Sequence, residues 1–186
     1  MRLLKLVFFL SVFLIHLRCS KEVEVSENLV FFQNQKSLWI QDKKILPKSD
    51  AEFYLDDPAP QFRKTFFLSD LPKKATLFIT AAGYYKSTIN TFELENNILD
   101  PAWTDYSKRI YYKEYDITEL LTEGMNCLGV SLGNGFYNPL PLKMWGRINL
   151  RERLSVGKPR FIAKLRITHP NGKTEEIVSD SSWKYS

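Results

Sequence analysis

The sequence predicts an all-β protein, an antiparallel β-sandwich preceded by a signal segment. Three observations carry this reading. From Ser37 onward short apolar runs alternate with turn residues, and helical periodicity is almost absent. Aromatic residues make up 14% of the chain, and rings suit a pleated, half-buried surface. One hairpin is also written out: two alternating stretches flank Asn171-Gly172, a dipeptide that accepts the positive φ angles of a tight turn. The 186 residues suffice for one ordinary domain with a real core.

The elements follow in order. Arg2 and Lys5 form a basic start, and Leu6 to Ile15 is an unbroken apolar run. That run is shorter than the roughly 20 residues a membrane helix needs, and it fits an export signal over residues 1–18. Cys19 stands where a bacterial lipoprotein is cut and lipidated, although Arg18 replaces the small residue expected before it. Lipidation of Cys19 and ordinary cleavage nearby are both open. Residues 19–36 read as a tether with a candidate edge strand at Leu29 to Phe32.

The sandwich domain is assigned to residues 37–186. "SLWIQ" and "QFRKTFFLS" are expected strands. "ATLFITAAGYYKSTINTFEL" is a pair of strands or one long bent strand, with Gly83 at the bend. "KRIYYKEYDI" alternates ring and charge, as a strand with one wet face does. In "DITELLTEG", Asp116 or Thr118 can cap a short helical turn that Gly124 ends. "MNCLGVSL" reads as a buried central strand, with Cys127 as a small buried hydrophobe. The ring pair Trp183 and Tyr185 at the end reads as a chain cut short of a larger protein.

Charge and chemistry narrow the function. Without Arg2, Lys5 and Arg18 the formal charge falls from +5 to +2, so nothing argues for nucleic acid. With Cys127 the only cysteine besides Cys19, no disulfide framework is available. His169 lies beside the hairpin turn, and no nucleophile–histidine–acid arrangement or zinc spacing can be built around it. No catalytic residue is assigned.

What remains is two polar-aromatic loops, Leu94 to Arg109 and the stretch beginning at Gly133. Sugar sites pair flat apolar faces with amides, carboxylates or guanidinium groups. The candidates here are Asp100, Trp103, Asn134, Tyr137, Asn138, Trp145 and Arg147. Asp and Asn oxygens of these loops could also hold calcium. The plainer reading is that the rings plug the sandwich end or pack on a neighbouring domain.

At these loops the sequence resembles a family. The ordered series Gly83-Tyr84-Tyr85, Leu99-Asp100-Pro101, Trp103-Thr104-Asp105-Tyr106, Tyr115-Asp116-Ile117-Thr118, Gly124 with Asn126, and Gly133-Asn134-Gly135 is similar to the N-terminal domain of bacterial α-L-rhamnosidases, glycoside hydrolase family 78. Two positions depart from it: Thr91 follows Asn90 where the family usually has glycine, and Phe136 stands where it usually has tryptophan. The resemblance implies a jelly-roll-like accessory domain of an exported, periplasmic or outer-surface enzyme that removes terminal rhamnose with inversion. Catalysis would reside in a downstream (α/α)6 barrel absent from these residues, so this chain alone is expected to be non-catalytic. Implied partners are a rhamnose-containing glycan and that catalytic domain, with membrane contact only through a lipid anchor. Some domains of this kind bind rhamnose through calcium; the ligands are not assigned. The alternative is a structural or assembly sandwich of a lipid-anchored surface protein that binds no sugar.

Overall fold

The computed structural model describes residues 36–94 and 99–186. The signal segment, Cys19 and the expected edge strand at Leu29 to Phe32 lie outside the described residues. Among the described residues no helix is long and apolar enough to cross a membrane.

Among the described residues eleven strands run in this order: β1 (Gln61–Leu68), β2 (Lys74–Ala82), β3 (Tyr84–Ile89), β4 (Phe92–Glu93), β5 (Lys113–Asp116), β6 (Gly124–Gly133), β7 (Lys143–Met144), β8 (Ile148–Asn149), β9 (Arg160–Thr168), β10 (Thr174–Val178) and β11 (Lys184–Tyr185). One helical turn, α1 (Leu150–Arg153), follows β8. A five-stranded sheet has the order β11-β1-β6-β3-β4, and a four-stranded sheet the order β10-β9-β2-β5. Strands β7 and β8 pair only with each other. Every named pairing is antiparallel. The predicted fold class is the observed one.

Side-chain alternation builds the core. Phe62, Phe66 and Leu68 of β1 and Leu128, Val130 and Leu132 of β6 meet Leu77, Ile79, Phe161, Leu165 and Ile167 from the other sheet. Phe161 is the hinge of this packing: its ring meets those of Phe62 and Trp183 edge-on, each at 5.2 Å. Tyr85 and Tyr115 bring their hydroxyls to 3.2 Å across the gap between sheets.

Local details differ from the sequence reading. "ATLFITAAGYYKSTINTFEL" holds the pair of strands and not one long bent strand, but β2 and β3 belong to different sheets. Gly83, at φ +104°, is the corner where the chain crosses between layers. Of "KRIYYKEYDI" only Lys113–Asp116 is strand, and of "SLWIQ" only Ile40 bridges, to Phe161. The helical turn is a 3-10 turn at Thr118–Leu120; the Asp116 carboxylate accepts from the Thr118 amide and hydroxyl, and Gly124 opens β6 instead of ending a helix.

Strand β6 is central as expected, but its second face is not buried. Met125 is 64% exposed and Cys127 is half-buried on that outer side. The hairpin between β9 and β10 also has a wider loop than Asn171-Gly172 suggested. Gly172 donates to His169 O at 2.9 Å and alone takes positive φ (+83°), while the His169 amide reaches Lys173 O at 2.8 Å. Pro170-Asn171 thus occupies the middle of the turn and Gly172 follows it as a bulge.

Candidate functional site

The ring-bearing loops meet at one end of the sandwich, where β2 ends, β3 begins, β6 ends and β9 begins. The corner at Gly83 is pressed onto β6: a Cβ there would lie 2.5 Å from the carbonyl oxygen of Gly133. Beyond Gly133 the chain turns back, with the Asn138 amide donating to Asn134 O at 3.0 Å. Gly135, at φ +50°, lies so close over Tyr84 that a Cβ would meet its ring at 2.9 Å. The glycines around Asn134 therefore let the loop turn and settle on a ring.

This turn brings the two loops together. Trp103 and Phe136 face each other at 5.3 Å with an interplanar angle of 46°. Tyr106 and Tyr137 meet edge-on at 5.0 Å. The Arg160 guanidinium continues the stack, 5.7 Å from the Tyr137 ring and 5.3 Å from that of Trp39. Burial pushes the Tyr106 phenol above its ordinary range. Trp103 and Phe136 stay open to solvent, at 50% and 41% exposure.

The polar candidates are engaged within the domain. Asp100, joined to Pro101 by a cis peptide, is 4% exposed, and its Oδ2 accepts from Lys113 Nζ at 2.6 Å. Its carbonyl accepts from the Tyr85 amide at 2.8 Å, which fastens the loop to β3. Asn138 is buried between neighbours, donating to Asn134 Oδ1 at 2.8 Å and accepting from Arg151 Nη1 at 2.8 Å. Asp105 accepts from the Ser107 hydroxyl and amide and pairs with Lys108, which lowers its carboxyl to about 2. Among the described residues no group of three or more acidic, histidine or cysteine side chains is placed to hold a metal ion.

Lys113→Met is expected to leave the buried Asp100 carboxylate without its cation. Because Lys113 is partly exposed, the cost should be about 2 kcal/mol, less than for a fully enclosed pair. Urea unfolding at pH 7 measures it, and adding Asp100→Asn should recover most of the loss.

Trp145 and Arg147 belong to the separate β7–β8 excursion. Trp145 sits at its tip with φ +50° and is 81% exposed; Arg147 is also exposed. A bulky ring in left-handed backbone is unfavourable on its own.

A cleft of about 590 Å³ opens beside the loop, lined among others by Phe53, Pro60, Asn134, Asn138, Leu140 and Lys158. One wall is the strap of residues 42–60, which sequence reasoning missed. Lys158 fastens it, reaching Asp42 Oδ1 at 2.7 Å, and Lys44 closes it on Asp57 at 2.5 Å. Arg151 was missed too. It stacks 4.0 Å over Phe53 and donates to Pro139 O at 2.7 Å, joining strap and loop. The only local signal was Asn149, whose side chain caps α1 by accepting from the Arg151 amide.

Comparison with known proteins agrees with this geometry. Residues 70–186 match the family described as the α-L-rhamnosidase N-terminal domain. An α-L-rhamnosidase of Formosa agariphila is 36% identical over 129 residues, covering 69% of this chain and 13% of that protein. One from Alteromonas sp. is 36% identical over 128 residues, again 13% of its length. The chain thus spans about an eighth of the curated relatives it matches. Among solved structures, the native α-L-rhamnosidase of Aspergillus terreus superposes with a TM-score of 0.68 at 29% identity, over 82% of this chain and 17% of that one. The enzyme from Dictyoglumus thermophilum gives 0.64 at 33% identity, over 83% and 17%. The chain belongs to the α-L-rhamnosidase N-terminal domain family.

Proposed function

We propose that this domain is the accessory N-terminal sandwich of an exported enzyme that hydrolyses terminal α-L-rhamnose from glycans, and that its ring-bearing loops dock it onto another domain of that enzyme. One observation carries the docking reading. The loops leave apolar surface open at Trp103, Phe136, Leu140 and Leu142, while Asp100 and Asn138, two of the polar groups a sugar hydroxyl could use, are buried and bonded within the domain. Open rings with satisfied polar neighbours suit a protein surface better than a polyhydroxylated ligand. Hydrolysis belongs to the rest of the enzyme, where a carboxylate pair holds the attacking water. Residues 1–18 direct export to the periplasm or outer surface, with lipidation at Cys19 as the anchor; mass spectrometry of the mature N-terminus tests the latter.

A second reading, carbohydrate binding, is favoured by one feature. Trp103 and Phe136 form an open V, and exposed Asn134, two residues before Phe136, lines the cleft. Calorimetric titration of the chain with L-rhamnose, with and without a calcium chelator, separates the two. Docking expects no heat at millimolar sugar. Binding heat that Trp103→Ala abolishes would replace docking by sugar recognition.

A further inference from the structure

At the end of the sandwich opposite the ring-bearing loops, one imidazole joins both layers. His169 follows β9 in the four-stranded sheet. Its Nδ1 lies 3.0 Å from Asp70 Oδ1, and its Nε2 lies 3.3 Å from Glu175 Oε2. Asp70 sits on the turn that carries the chain from β1, in the five-stranded sheet, to β2 in the other. Glu175 is on β10.

The chemistry of this arrangement is one-sided. A neutral imidazole has one N–H and one lone pair, so between two carboxylates it can satisfy one and must repel the other. The imidazolium donates to both. The carboxylates occupy opposite ring nitrogens, which suits neither a shared metal ion nor a nucleophile relay. The other groups close to this point reach it through the main chain or share its acceptor. Lys73 donates its amide to Thr168 O at 2.8 Å, Lys173 O accepts from the His169 amide at 2.8 Å, and the Ser69 hydroxyl donates to Asp70 Oδ1 at 3.4 Å. Among the described residues neither Asp70 nor Glu175 forms an ion pair with a lysine or arginine, so the imidazolium is their cation.

We propose that His169 is a proton-operated clasp: charged, it holds Asp70 of the β1–β2 turn and Glu175 of the β9–β10 hairpin at once and closes this end of the sandwich, and on losing its proton it keeps at most one of the two and loosens the tie. The hydrogen bond to Asp70, with that to Glu175 behind it, raises the imidazole above its ordinary 6.5 against the opposing effect of burial. The folded value exceeds the unfolded one. The clasp is therefore fully effective below about pH 6.5 and is lost as pH rises through the folded value.

The chain has two histidines, His16 and His169, so imidazole NMR with His169→Gln for assignment isolates the group. His169 should titrate above 6.5, and Asp70→Asn and Glu175→Gln should each lower its pKa. The melting temperature of the unaltered chain should fall between pH 6.5 and 9 by a margin that His169→Gln lacks. An imidazole titrating at or below 6.5 overturns the proposal, as does an equal pH dependence of melting in both proteins. Should His169→Gln fail to fold, the two carboxylate variants decide alone: an unchanged imidazole pKa in both overturns the clasp.

Discussion

Asn126→Ala should be among the most damaging single substitutions in this domain, costing about 3–5 kcal/mol in urea unfolding with the slope of the transition unchanged. Asn126 faces inward on β6, in line with Leu128 and Val130, and is 1% exposed. Its amide donates to Thr122 O at 2.7 Å and Gly124 O at 3.2 Å. Its oxygen accepts from the Thr122 amide at 3.0 Å and from Asn90 Nδ2 at 3.1 Å. Asn90 in turn donates to Leu120 O and accepts from the Cys127 amide, each at 3.0 Å. Two amide side chains thus knit the β3–β4 turn, the 3-10 turn and the start of β6. Alanine would strand several buried donors and acceptors at once, each costing roughly 1–3 kcal/mol unless water enters. A loss below about 1 kcal/mol would show that solvent already serves these groups.

Gly83→Ala is expected to be comparably severe, about 3–4 kcal/mol, with disordering of the ring-bearing end visible in tryptophan fluorescence. Two effects coincide there. A φ of +104° is outside the range of residues with a Cβ, and the new methyl would collide with a main-chain oxygen at 2.5 Å. That oxygen belongs to Gly133, held in register opposite Tyr84, so it cannot yield as a flexible side chain would. Gly172→Ala is the control. Its φ is +83° but nothing lies within 4 Å of the added methyl, so only the backbone term remains, about 1–2 kcal/mol. Equal losses for the two would remove the collision from the account.

These residues also show where sequence reading succeeds and fails. Strands β9 and β10 were legible because their pairing is local and a turn with glycine separates them. Gly83 was legible as a bend, but a bend within one sheet and a crossing between two have the same sequence. The loops were found through ring content, but the contact of Trp103 with Phe136 was not legible in either of them. The engagement of Asp100 with Lys113 was not legible, because it depends on β5 lying beside β2 and not on spacing. Arg151, Lys158 and the strap escaped for the same reason: their partners are distant in sequence. Asn90 and Thr91 illustrate the middle ground. The expected glycine is missing from that turn, yet Asn90 itself takes φ +55° and supplies the left-handed step.

The pairing of β1 with β6 and of β2 with β9 has a kinetic corollary. Neither layer can be completed from an early stretch of polypeptide, since Leu77 and Ile79 pair with Tyr115 and Lys113 on one side but find their neighbours on the other only when Leu165 and Ala163 have been synthesised. Loop closure over such separations makes acquisition of the native state slow and late. Until then the apolar faces of the early strands lack their partners.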